Sequence, residues 1–147
     1  MRLQDRFEVP AGLSELWAAF QNPAELAGCI PGVEQVTMTD PEHFTATMTV
    51  KLPFMSLTSR VQGSIRMEEA QHRIHVDLTG QPLAFAGAFR ARLSAQLQAV
   101  SASVTQVAYD MDLQMAGRLA SLGEPLIRST AVKLSQAFAE NLQERFR

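Results

Sequence analysis

One cysteine, one tryptophan, one tyrosine and three histidines are all that this 147-residue chain offers of the rarer, chemistry-bearing residues. The lone thiol, Cys29, excludes an internal disulfide and fits a reducing compartment. It stands near a helix end, where the dipole disfavours a thiolate, so it reads as a small buried residue rather than a nucleophile. His72 and His75 lie three apart in strand territory and point to opposite faces. With one cysteine there is no zinc cluster either, and no metal is expected. Gly-x-Ser-x-Gly and glycine-rich phosphate loops are missing, so no catalytic residue and no cofactor is assigned.

Basic charge is also short. A net charge of −2 and a pI of about 5.9 leave no field to hold nucleic acid by counterion release. No apolar run reaches the ~18 residues of a membrane span. Met1 to Glu8 mixes charged and apolar residues instead of forming the unbroken core of a signal peptide. The expected location is cytoplasmic, with at most peripheral contact at the inner membrane face. At this length the chain has room for one domain with a sizeable core and little room for two.

What the chain does have is two periodicities. Leu3, Phe7 and Val9 alternate with Arg2, Gln4, Arg6 and Glu8, a first strand closed by Pro10. Leu13, Leu16, Trp17 and Phe20 follow at helical spacing. Asn22-Pro23 then starts a short second helix, since Asn caps and proline at the first position sacrifices no needed donor. From Val33 to Met115 the period is two. From Leu122 to Phe146 it becomes helical again, with Ile127, Ala131, Leu134, Phe138 and Leu142 as the stripe and Leu122, Leu126, Ala137 and Phe146 widening it.

The strand registers can be tested against one another. A turn at Asp40-Pro41-Glu42 pairs Met38 with Phe44 and Val36 with Ala46. Across the Pro53 loop Met48 faces Val61, and Phe44 faces Ile65. A turn at Ala70-Gln71 sets Met67 against Ile74, Ile65 against Val76 and Glu68 against Arg73. A turn near Gly80-Gln81-Pro82 sets Val76 against Gly87 and Ile74 against Phe89. A last turn near Ser101-Ala102 sets Leu93 against Tyr109 and Ala91 against Met111, with Arg92 opposite Asp110 and Arg90 opposite Asp112. The result is one antiparallel sheet with a single apolar face, strongly curved if Gly63 and Gly87 mark bulges or bends. A charge ladder accounts for Asp110 and Asp112 better than acid–base chemistry does.

Several segments carry a family resemblance: Phe7-Glu8-Val9-Pro10-Ala11 with Leu16-Trp17, then Asn22-Pro23-Ala24-Glu25-Leu26-Ala27, then Cys29-Ile30-Pro31-Gly32-Val33-Glu34. Phe85-Ala86-Gly87 follows, and then Gly117-x-Leu119-Ala120-x-Leu122-Gly123-x-x-Leu126-Ile127. In this order and over essentially the whole chain, they resemble the carbon monoxide dehydrogenase G-subunit (CoxG) family of the START-like, Bet v 1-like superfamily. The resemblance implies an α+β helix-grip fold: a seven-stranded curved antiparallel sheet wrapped around a long C-terminal helix, with two short helices between the first two strands. It implies a non-catalytic carrier or adaptor whose cavity takes a hydrophobic small molecule of the quinone kind, and whose partner is a molybdenum hydroxylase. Many members continue into a membrane-binding segment. This sequence stops at Arg147, so a membrane contact is expected to rest on the domain itself.

The residues expected to line the cavity are Met48, Phe54, Met55, Phe85, Phe89, Tyr109, Met111, Leu122 and Leu126. Thioethers adapt to varied apolar shapes, and five of the seven methionines (Met38, Met48, Met67, Met111 and Met115) fall on the inward parity. Phe54-Met55 in the Pro53 loop reads as part of the mouth. Tyr109 turns a hydroxyl inward, with Ser59 as a second, weaker polar candidate. Two rival expectations stand beside the carrier. One is a cavity enzyme of the polyketide cyclase type, which needs converging polar groups; the other is a ligand-free docking module with a filled core.

Overall fold

The alternating segments become seven strands in a computed structural model that describes residues 1–84 and 86–147. They are β1 (Arg2–Val9), β2 (Val33–Asp40), β3 (His43–Lys51), β4 (Ser56–Glu68), β5 (Arg73–Pro82), β6 (Gly87–Ser101) and β7 (Val104–Gly117). All neighbours are antiparallel, in the order β1-β7-β6-β5-β4-β3-β2. The chain meanders from β2 to β7, while β1 closes onto the far side of β7. Helices α1 (Leu13–Phe20) and α2 (Pro23–Ala27) therefore carry the chain from one sheet edge to the other. The Asn22 side chain accepts from the Glu25 N–H at 3.4 Å and Pro23 takes the first helical turn, as the sequence requires.

After β7 a 3₁₀ turn (Ala120–Leu122) leads into α3 (Glu124–Arg145), which lies across the inner face. Gly117 at φ +66° and Gly123 at φ +91° permit the reversal. This is the α+β helix-grip arrangement implied by the resemblance.

From β3 to β7 the alternating apolar residues keep one common face, but most registers move. The β4–β5 pairing is as expected, with Met67 opposite Ile74 and Glu68 opposite Arg73. Between β3 and β4 the register shifts by two: Met48 faces Ser59, and Phe44 faces Gly63. Between β5 and β6 it shifts by six, because β5 runs on to Pro82 and Gly80 faces Phe89. Between β6 and β7 it shifts by two, so Leu93 faces Met111 and Arg92 faces Asp112. Each shift is even, so it leaves side-chain parity intact and the period-two pattern does not detect it.

Gly63 is not a bulge. It sits in regular register, and a Cβ there would lie 2.8 Å from the Phe44 ring. In β2–β3 the irregularities fall instead around Gln35, at φ +56°, and near Thr39, displacing the expected Val36–Ala46 pair. His72 is not in a strand either; it ends the β4–β5 turn in a left-handed conformation at φ +50°.

Candidate functional site

The inner face of the sheet is sealed in two places that do not merge. At one end Val9, Leu16, Trp17, Phe20, Ile74, Leu97 and Val107 pack with Leu142 of α3. Phe138 adds an edge-to-face contact with Phe7, the ring centroids 6.3 Å apart. At the other end Ala91, Leu113 and Ile127 form a smaller cluster. Between them the inward side chains Val76, Leu78, Leu93 and Met111 are only half-buried. So are Ala131, Leu134 and Phe138 on the facing stripe of α3. Of the whole stripe, only Ile127 and Leu142 are fully buried.

The polar ties of α3 explain which side stays open. Gln143 Nε2 donates to the Glu8 carbonyl at 2.8 Å, and Asn141 Nδ2 donates to the Cys29 carbonyl at 2.9 Å. Arg145 pairs with Glu25 at 3.0 Å, and Arg128 reaches the Arg2 carbonyl at 3.5 Å. Among the described residues all of these ties run to β1 or to the α2 side. Among the described residues the helix is thus tied by long-range polar bonds along one edge only.

The expected lining residues separate into three groups. Met111 and Leu122 pack on the smaller cluster, near Met115, and Leu126 is half-buried one step before Ile127. Phe89 folds its ring over Gly80, where a Cβ would lie 2.1 Å from it, and borders a hollow of about 370 Å³ with Met115. Met48 is half-buried beside Ser59, and Met55 is half-buried in the β3–β4 loop. Phe54, by contrast, is 64% exposed at the loop tip and faces away from the core. Phe85 lies outside the described residues.

Tyr109 is half-buried against the larger cluster, and no hydrogen bond ties its hydroxyl among the described residues. Ser59 is 3% exposed, on the same face. The register keeps the two apart. Tyr109 aligns through Ala95 and Ile74 with Met67, eight residues along β4 from Ser59. That is roughly 26 Å along the strand at about 3.3 Å per residue, so these hydroxyls cannot grip one reacting centre. Trp17 is buried, as the sequence suggests, and stacks edge-on against His72 at 5.2 Å. Its indole N–H finds no acceptor among the described residues. Parity would have added Val76, Leu78 and Leu93 to the lining; nothing in their sequence marks them apart from core.

The outer face carries a different feature, a shallow concavity of about 640 Å³ among Arg2, Arg66, His75, Asp77, Arg92, Asp110 and Asp112. Its charges satisfy one another. Arg2 holds Asp110 at 3.0 and 2.5 Å, and both Arg90 and Arg92 reach Asp77. The Arg2 hydrogen bonds, aided by Gln4, hold the Asp110 carboxyl below its ordinary range, and Asp110 raises Arg2 in turn. Burial pushes the Glu68 carboxyl up, and bonds from Arg66 and His75 more than offset it, leaving it lowered. This is a solvated charge ladder, paired differently from the expected Arg92–Asp110 and Arg90–Asp112. No group of three or more His, Cys, Asp or Glu able to hold a metal occurs among the described residues. Among the described residues no helix is long and apolar enough to cross a membrane.

Comparison with known proteins supports the same architecture. The family model for the carbon monoxide dehydrogenase G-subunit (CoxG) matches residues 6–147. No curated relative matches the chain. Among solved structures, a conserved protein from Geobacillus kaustophilus aligns with a TM-score of 0.89 at 16% identity, over 99% of this chain and 95% of that one. A START superfamily protein from Mycobacterium smegmatis aligns with a TM-score of 0.76 at 12% identity, over 99% and 96%. The Zhui aromatase/cyclase from Streptomyces sp. R1128 aligns with a TM-score of 0.72 at 12% identity, over 99% and 93%. At these identities the likeness is one of fold.

Proposed function

Because the chain belongs to the CoxG family of carbon monoxide dehydrogenase, whose model covers residues 6–147, we propose that it is a non-catalytic carrier and adaptor. It holds a hydrophobic small molecule, quinone-like in shape, between α3 and the inner face of the sheet. It serves a molybdenum hydroxylase of the carbon monoxide dehydrogenase type at the cytoplasmic face of the inner membrane.

The observation that carries this reading is the half-buried apolar surface between the two buried clusters. A helix that only completed a core would seal its whole stripe, whereas here Ala131, Leu134 and Phe138 stay half-buried, as do Leu78, Leu93 and Met111 of the sheet. Apolar surface left open to water costs about 25 cal/mol per Å² relative to burial, and a hydrophobic occupant recovers that energy. Met48, Met55, Phe89, Met111, Leu122 and Leu126 are the side chains assigned to the occupant, with Phe85 assigned from the sequence. The Tyr109 hydroxyl is one hydrogen-bonding group for a ligand carbonyl. The separation of Tyr109 from Ser59 favours carrying over the cyclase chemistry named for one structural neighbour.

Native mass spectrometry of protein purified from its own cells, with extraction of bound lipids, tests the reading. An apolar adduct is expected, and Leu126→Trp, which fills the space from the helix side, should reduce its occupancy severalfold while the fold survives. Protein that carries no adduct and rejects menaquinone and ubiquinone analogues would sink it.

A further inference from the structure

Among the described residues, a single buried side-chain nitrogen or oxygen is left without a hydrogen-bond partner, the indole nitrogen of Trp17. Trp17 is 5% exposed and belongs to the larger buried cluster. Burial alone does not impose this. Thr105 is fully buried on β7, yet its hydroxyl donates to the Ala11 carbonyl, just ahead of α1, at 2.8 Å. A donor shut off from water and from every acceptor is costly, and native proteins rarely leave one unless a water, an ion or a ligand completes it. The indole is also held in place. The His72 ring stands edge-on to it, the centroids 5.2 Å apart, and the His72 carbonyl accepts from the Leu97 N–H at 2.9 Å, which fastens that turn to β6.

The Tyr109 hydroxyl is a second polar group at this end, half-buried against the same cluster. Tyr109 pairs with Ala95, and Ala95 pairs with Ile74, two residues beyond His72. At about 4.8 Å per strand, the backbones of Tyr109 and Ile74 lie roughly 10 Å apart. The next inward row is Val76, Leu93 and Met111, where the half-buried apolar stretch begins. Both donors therefore stand at one end of that stretch.

We infer that the Trp17 N–H and the Tyr109 hydroxyl donate to a neutral, carbonyl-bearing end of the bound molecule, whose apolar remainder lies over Val76, Leu93 and Met111. The inference rests on the carrier reading for the presence of an occupant, and adds which way round the occupant lies. An indole N–H donates and never accepts, so the occupant must bring an acceptor; a plain hydrocarbon leaves the donor orphaned. The acceptor is uncharged. The rows Asp5–Tyr109–Ala95–Ile74–Met67 and Phe7–Val107–Leu97 hold no Lys or Arg, and their one charged member is an acid. A carboxylate buried there would have no cation to pair with. A ring ketone or dione meets these demands, and a fatty acid does not.

Trp17 is the chain's only tryptophan, so its indole N–H gives a single, self-assigned signal in the nitrogen–proton spectrum of the isotope-labelled full chain. Three probes are titrated, with affinities read by calorimetry: a naphthoquinone with a short isoprenoid tail, its naphthalene counterpart without the two oxygens, and a fatty acid of similar length. With the naphthoquinone the indole proton should move downfield, and its exchange with solvent should slow at least about tenfold. The naphthalene counterpart should bind about tenfold more weakly and leave the signal in place. Tyr109→Phe, which keeps the ring, should weaken the naphthoquinone about fivefold and leave the naphthalene unchanged. Trp17→Phe should act in the same sense, and the wild-type indole signal decides the matter even where that core substitution unfolds the protein.

A bound naphthoquinone that leaves the indole signal unmoved overturns the inference while the carrier reading stands. So does a Tyr109→Phe variant that loses affinity for both ring probes alike. If the fatty acid binds most tightly and shifts the indole, the acceptor is an anion and the inference fails. If none of the three probes binds, the carrier reading falls and takes this inference with it.

Discussion

Asp110 shows how far a single residue can be read. Its type and its outward parity are plain in the sequence, and so is the expectation that an arginine neutralises it. Which arginine does so is decided by register: Arg92 faces Asp112, and Arg2 of the edge strand β1 holds Asp110. That hydrogen bond lowers the Asp110 value in the folded protein relative to the unfolded chain. The pair therefore stabilises the fold above the ordinary carboxylate range, and its contribution is lost as pH falls through the lowered value. Asp110→Asn should lower the melting temperature at pH 7 and leave it close to wild type near pH 2, as thermal melts at the two pH values will report. Phe54 is the converse case, because a loop tip has no periodicity from which burial could be read. Its sequence neighbours do not distinguish a lining residue from one that faces outward.

At the scale of the element, α3 is legible as a helix but not as a wall. Its stripe is continuous in sequence from Ile127 to Leu142, yet only those two ends are fully buried. Leu142, 1% exposed within the larger cluster, behaves as core. Leu142→Ala should cost about 2–5 kcal/mol. Leu134, half-buried over the open stretch, should cost less than about 1.5 kcal/mol on truncation, since little of its surface is withdrawn from water. Urea denaturation of the two variants measures the contrast; equal losses would mean that the stripe is sealed throughout. The strands teach the same lesson. Their faces follow from alternation, but pairing shifts of two or six residues preserve that alternation and are settled by where the turns close.

For the molecule as a whole, occupancy should appear as stability. A ligand that binds only the folded state adds about 2.7 kcal/mol at a hundredfold excess over its Kd. A menaquinone or ubiquinone analogue should therefore raise the melting temperature by several degrees in calorimetry, and Leu126→Trp should blunt the rise. A soluble charged analogue that fits only the outer concavity should produce none. By itself the sequence determined the α+β class, the strand faces, the Asn22-Pro23 helix start, the long last helix and the family likeness. Each of these is written in local periodicity, capping chemistry or residue order. The registers, the pinning of α3 along the β1 edge and the wide separation of Tyr109 from Ser59 were settled by tertiary contacts alone. Those facts depend on contacts between segments far apart in the chain, and a period of two or of 3.6 residues carries no information about which distant partner a face will meet.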